Sequence, residues 1–160
     1  MENISREEVI QIAQEYLGYP SCKYEPDTEL LGSNEQGFTC SGFVKFVLQK
    51  AGVAVPKNIR HTREFFDYFG VSVHADKVLP GDLVFFTRYG TYPNHMGIVL
   101  SENKYIFSAG MKKGEVKIGP IQNSYKNNID NSDKKVIYTS NPIGYKRIAL
   151  PMGNYQEILE

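Results

Sequence analysis

The chain has 160 residues, enough for one domain with a sizeable core, and its 41% hydrophobic and 22% charged content excludes a disordered or membrane-embedded protein. Formal net charge is zero, so no global basic field is available to recruit nucleic acid or an anionic bilayer. No apolar run approaches the ~18 residues of a membrane span, and the opening MENISREEV has neither the basic nor the apolar region of a secretory signal.

Ser5 and Glu8 form a capping-box pattern, and Val9, Ile12, Ala13, Tyr16 and Leu17 follow at helical spacing until Gly18 and Pro20 stop the helix. From Pro20 to Gly37 the chain is polar and turn-rich, a loop long enough to suggest a functional one. After Cys40, the residues Phe43, Val44, Phe46, Val47, Leu48 and Ala51 occupy more than one face of a helix that Gly52 closes. A helix apolar over so much of its circumference belongs in the centre of a core. HTREFFDYFG reads as a short helix with Thr62 as its N-cap.

The pattern then changes. DLVFFTR, HMGIVLS, KYIFSA, EVKIGPI, KKVIYTS and GYKRIAL are short β-rich runs between Gly, Pro, Asn or charged turns, and the polar stretch from Gln122 to Lys135 reads as a surface loop. The tail MGNYQEILE reads as a short terminal helix or a frayed end. Helices followed by about six strands predict a single α+β domain over residues 1–160 with a mostly antiparallel sheet. The lysine-rich second half reads as a solvated face rather than a site for an acidic ligand.

The chemistry centres on GFTCSGF, residues 37–43, which places Cys40 at the mouth of the apolar helix. Unpaired N–H groups and the macrodipole at a helix N-terminus favour a thiolate, and the same N–H groups can hold an oxyanion. Gly42 keeps the first turn uncrowded. A lone cysteine beside an apolar helix is more often a small buried hydrophobe, so a partner base is needed. His61 and His74 lie beside a short helix and in a loop, positions that suit exposure. His95 opens the HMGIVL strand, 55 residues after Cys40, a separation that excludes a local metal motif and suits a pair assembled by the fold. Cys22 and Cys40 make no metal pattern; a bridge between them stays open and would silence the thiol.

Taken together, GFTCSGFVKFVL, LPGDLVFF, NHMGIVL and PIGYKRIALP, in that order from about residue 7 to 150, resemble the blocks of the NlpC-type cell-wall peptidases, papain-like cysteine hydrolases. The resemblance implies Cys40 as nucleophile, His95 as general base and later acid, and the N–H groups of Cys40 and Ser41 as the oxyanion hole. It implies hydrolysis of a γ-D-glutamyl–diamino acid amide in a peptidoglycan stem peptide, through a thioester, with no metal or cofactor called for; the chain is separately expected to be a monomer.

Three positions depart from that family's pattern. The residue before the cysteine is usually Asp, which helps hold the substrate's amino end; here it is Thr39, which cannot pair with an ammonium group in that way. The family carries a polar residue, often His, on the strand after the catalytic His. A gapless alignment of KYIFSAG puts Phe107 there and a one-residue slip puts Ser108 there. Ser108 is the expected third member, with a backbone carbonyl as the substitute. Upstream, PSCKYEPD replaces a Pro-Tyr-x-Trp-Gly-Gly block, and Tyr24 is its candidate substrate-facing tyrosine. These departures leave room for an acyltransferase or deamidase on another small amide, or for a non-catalytic muropeptide-binding module. The expected location is the cytoplasm, or the cell wall after delivery by a phage or a non-classical secretion route.

Overall fold

In the computed structural model, residues 5–22, 32–33, 37–87, 93–109, 114–121 and 142–148 are described. Helix α1 (Arg6–Glu15) starts where expected, because the Ser5 hydroxyl accepts from the Glu8 N–H at 3.1 Å. Val9 and Ala13, one turn apart, are its buried stripe. Helix α2 (Cys40–Lys50) is the central element. Phe43, Val44, Val47 and Leu48 have no solvent exposure, as its apolar circumference predicts, and Gly52 ends the turn with φ +92°.

Helix α3 (Thr62–Tyr68) begins one residue earlier than the sequence suggests. His61, with extended backbone, is the cap residue, and one Glu64 carboxylate oxygen accepts from the N–H groups of Arg60 and His61, both at 2.9 Å. Glu64 therefore satisfies the helix start, and Thr62 becomes the first helical residue with its hydroxyl turned to another partner.

The main sheet has six antiparallel strands, ordered β3 (Val71–Val73), β8 (Gly144–Arg147), β4 (Leu83–Phe86), β5 (His95–Ser101), β6 (Lys104–Ser108) and β7 (Val116–Pro120). A two-stranded pair, β1 (Gly32–Ser33) and β2 (Gly37–Phe38), leads into α2. Val71–Val73 was not among the expected strands; three residues are too few to display alternation. The KKVIYTS run and the tail lie outside the described residues.

Alternation divides the sheet into two faces. Leu83, Phe85, Met96, Ile98 and Ile106 pack with Val9, Ala13, Phe38 and the apolar residues of α2. Val84, Phe86, Val99, Tyr105, Phe107, Ile121 and Tyr145 form a second buried cluster on the other side. Asp82, fully buried at the start of β4, ties the layers together. Its Oδ1 accepts from Arg6 Nη1 at 2.9 Å and Arg147 Nε at 3.1 Å, and its Oδ2 accepts from the Leu79 N–H and Arg147 Nη2. Helix α1, the turn before β4 and strand β8 thus meet on one carboxylate.

Candidate active site

Thr39 determines how α2 starts. Its backbone is extended, its hydroxyl accepts from the Gly42 N–H at 2.9 Å and its carbonyl accepts from the Phe43 N–H at 2.9 Å. Four N–H groups at a helix start lack intrahelical partners. Here those are the groups of Thr39, Cys40, Ser41 and Gly42. The Thr39 hydroxyl takes that of Gly42, its carbonyl starts the intrahelical ladder at Phe43, and the N–H groups of Cys40 and Ser41 favour the thiolate of Cys40. The resemblance places Thr39 on the substrate side. The structure instead buries it, with its hydroxyl occupied in capping.

Cys40 is half-buried. Its Sγ lies 3.5 Å from Thr62 Oγ1 and 4.0 Å from the Asn94 carbonyl, and the Met96 N–H also reaches it. Asn94 and Met96 flank His95, so the sulfur rests against the backbone of β5 at the histidine itself. The start of α2 and the start of β5, 55 residues apart in sequence, thus lie side by side, with the sulfur against the backbone on either side of His95. Cys22 and Cys40 are both free thiols, and Cys22 donates to the Gly37 carbonyl at 3.5 Å.

The His95 ring sits on the aromatic face of the sheet. Its neighbours are Phe86 at 5.6 Å, Tyr105 at 5.9 Å and Phe107 at 5.0 Å between ring centroids. Nε2 is 3.1 Å from the Tyr105 hydroxyl. Ser108, the expected third member, does not take this role. It points to the other face of β6 and donates to the Phe38 carbonyl at 2.7 Å. Strand alternation is the reason: Tyr105 and Phe107 share the face of His95, and Ser108 cannot. Sequence reasoning missed Tyr105 because it sought the residue aligned with the family's polar position. The signal that finds it is the period-two pattern of KYIFS combined with a hydroxyl two residues before Phe107.

Gly97 makes this arrangement possible. A Cβ there would stand 2.5 Å from Tyr105 Cδ2 and 2.6 Å from the Ile106 carbonyl oxygen. The glycine lets the Tyr105 ring lie directly across β5.

Electrostatics corrects one expectation. Burial pushes the Cys40 thiol above its ordinary value, outweighing the Thr62 hydroxyl and the N–H groups of Met96, Ser41 and Cys40, which favour the thiolate. Burial also lowers His95 to about 4, with the charge of Lys117 adding to the effect. The same dry face pushes Tyr145 up to about 12. At neutral pH the resting pair is a thiol and a neutral imidazole, not a thiolate and an imidazolium. Tyr24 lies outside the described residues.

A model of the NlpC/P60 family matches residues 29–133, a span that holds the helix start, the sulfur and the histidine strand. The chain belongs to the NlpC/P60 family. It is 34% identical over 94 residues to the probable peptidoglycan endopeptidase LytE of Bacillus subtilis, covering 59% of this chain and 25% of that one. It is 29% identical over 143 residues to the γ-DL-glutamyl hydrolase of the same organism, covering 84% and 31%. The chain therefore spans less than a third of either relative. Among solved structures, an NlpC/P60 family protein from Bacillus cereus superimposes with a TM-score of 0.64 at 20% identity, covering 92% of this chain and 41% of that one. The fold is accordingly the α+β, papain-like fold of NlpC/P60 domains.

Proposed function

We propose that this NlpC/P60 chain is a cysteine hydrolase that cleaves an amide bond in peptidoglycan-derived stem peptides, of the γ-D-glutamyl–diamino acid type. The observation that carries the reading is the Cys40 sulfur at the N-terminus of α2, lying against β5 on both sides of His95. The relatives named as a peptidoglycan endopeptidase and a γ-DL-glutamyl hydrolase support the substrate class.

With both partners neutral at rest, His95 takes the thiol proton as Sγ attacks the amide carbonyl. The carbonyl oxygen becomes an oxyanion that accepts from the N–H groups of Cys40 and Ser41, which have no intrahelical partner at the start of α2. Collapse expels the amine, which takes the proton from His95 and leaves a thioester on Cys40. Water, deprotonated by His95, then releases the acid and restores the thiol. Thr39 brings no carboxylate to this site, so a free substrate ammonium has no ion-pair partner at that position.

The test is incubation of the chain with defined muropeptides and mass spectrometry of the products. Cleavage at the D-glutamyl bond by the wild type, lost in a folded Cys40→Ala variant, supports the reading. Turnover that survives Cys40→Ala refutes it. A second reading, a non-catalytic muropeptide-binding module, is favoured by Phe107 beside His95 and by the raised thiol. It predicts saturable muropeptide binding with no product after long incubation.

A further inference from the structure

We propose that Tyr105 is the positioning residue for His95, its phenol oxygen accepting from Nε2–H and thereby fixing the tautomer that leaves Nδ1 basic. This inference rests on the Cys40–His95 hydrolase reading and adds the group that holds the histidine in one tautomer. In a neutral imidazole one nitrogen carries the proton and the other the lone pair, and the partner of the first decides which is which. Nε2 lies 3.1 Å from the Tyr105 hydroxyl on β6; with the phenol oxygen as acceptor the proton sits on Nε2, and Nδ1 carries the lone pair that the hydrolase reading needs for the thiol's proton.

Three features show that Tyr105 is built into this position. It is 1% exposed, stacked on Phe107 with centroids 4.4 Å apart and planes at 15°, and packed against Phe86 at 4.9 Å. Two glycines accommodate the aromatic layer: a Cβ on Gly97 would collide with Tyr105, and one on Gly119 would stand 2.8 Å from the Phe107 ring. Phe107 itself stands edge-on to His95 and has no acceptor to offer. The hydroxyl that the strand lacks at Phe107 is thus supplied two residues upstream, on the same face, by a longer side chain.

A phenol is a neutral acceptor. It can orient the ring, but it stabilises an imidazolium far less than a carboxylate does. Loss of this hydroxyl should therefore cost roughly 10–100-fold in kcat, short of the ~10⁴-fold that follows when a buried carboxylate partner is neutralised.

The test is ¹⁵N imidazole NMR of the whole chain at neutral pH, with His95 assigned by loss of its signals in His95→Gln, beside kinetics on the muropeptide that the wild type cleaves. The expected result is an Nε2–H tautomer in the wild type, a mixture of tautomers in Tyr105→Phe, and a fall in kcat with KM nearly unchanged. Adding Phe107→His to Tyr105→Phe should recover much of the lost kcat, which a purely structural role for Tyr105 would not allow. An Nδ1–H tautomer in the wild type overturns the inference even if the variant fails to fold. So does a Tyr105→Phe protein that keeps both tautomer and kcat. If no muropeptide is ever cleaved, the hydrolase reading falls, while the tautomer measurement still decides the role of Tyr105.

Discussion

Phe107 meets His95 edge to face, with ring centroids 5.0 Å apart and planes at 87°. It withholds polar solvation from a ring that Phe86 and Tyr105 already enclose, and the ring accordingly resists protonation. A base that titrates near 4 stays unprotonated through mildly acidic conditions. The acid limb of kcat/KM should therefore fall at about pH 4 rather than near the ordinary histidine value of ~6.5. A limb near 6.5 in a pH–rate profile would show that substrate finds the ring solvated.

The same depressed value links pH to stability. The unfolded chain binds a proton at His95 near pH 6.5 and the folded chain only near pH 4, so stability is lost as pH falls through that window. The contribution is on the order of 3 kcal/mol across the window. Urea midpoints measured from pH 7 to pH 4 should decline more steeply for the wild type than for His95→Phe.

Cys40 should behave as a reluctant thiol toward simple alkylating agents. Its labelling by iodoacetamide should rise with pH without a plateau at neutrality, because burial holds it above the ordinary thiol value. Thr62→Val removes a hydroxyl 3.5 Å from the sulfur and should raise that value further, slowing labelling at pH 8 by roughly tenfold. Thr62→Ser should restore the wild-type rate. A plateau at neutral pH, recorded by stopped-flow or mass spectrometry, would contradict the neutral resting pair.

The contrast between Cys40 and Tyr105 explains what could be read from the sequence. Cys40, His95 and the two helices around the sulfur follow from local patterns: a cap before an apolar helix, and a histidine opening an alternating run. The α+β order of elements is legible for the same reason. Tyr105 was hidden because its role depends on which face of β6 meets β5, a fact of register rather than of motif. The raised thiol was hidden because a helix N-terminus advertises stabilisation of charge, whereas the desolvation that outweighs it arises from residues brought in by tertiary packing. Ser108 failed for a simple geometric reason, since one step along a strand turns a side chain to the opposite layer.

Asp82 carries the stability of the layer junction. Replacing it with Ala leaves the buried Arg147 guanidinium and the largely buried Arg6 without their carboxylate, and the Leu79 N–H without an acceptor. Removing one member of a buried ion pair costs about 3–5 kcal/mol. Asp82→Ala should therefore unfold at a much lower urea concentration, while the double change of Asp82 and Arg147 to apolar residues should recover part of the loss. Equal midpoints for wild type and Asp82→Ala would mean that the two arginines find other partners.

Gly97→Ala tests whether the close approach of β5 and the Tyr105 ring matters to the site. The glycine has ordinary backbone angles, so an alanine brings no backbone strain, only a methyl group where the Tyr105 ring and the Ile106 carbonyl already stand. Neither neighbour can yield freely, since Tyr105 is stacked on Phe107 and Ile106 is paired with Ile98 in the ladder. Overpacking of this kind costs about 1–3 kcal/mol. The displaced ring carries its hydroxyl away from Nε2, so kcat should fall in step with Tyr105→Phe. Combining the two substitutions should then cost little more activity than either alone, because both remove the same hydrogen bond. A thermal melt separates the packing cost from the catalytic one: the double variant should lie below Tyr105→Phe in Tm while matching it in kcat.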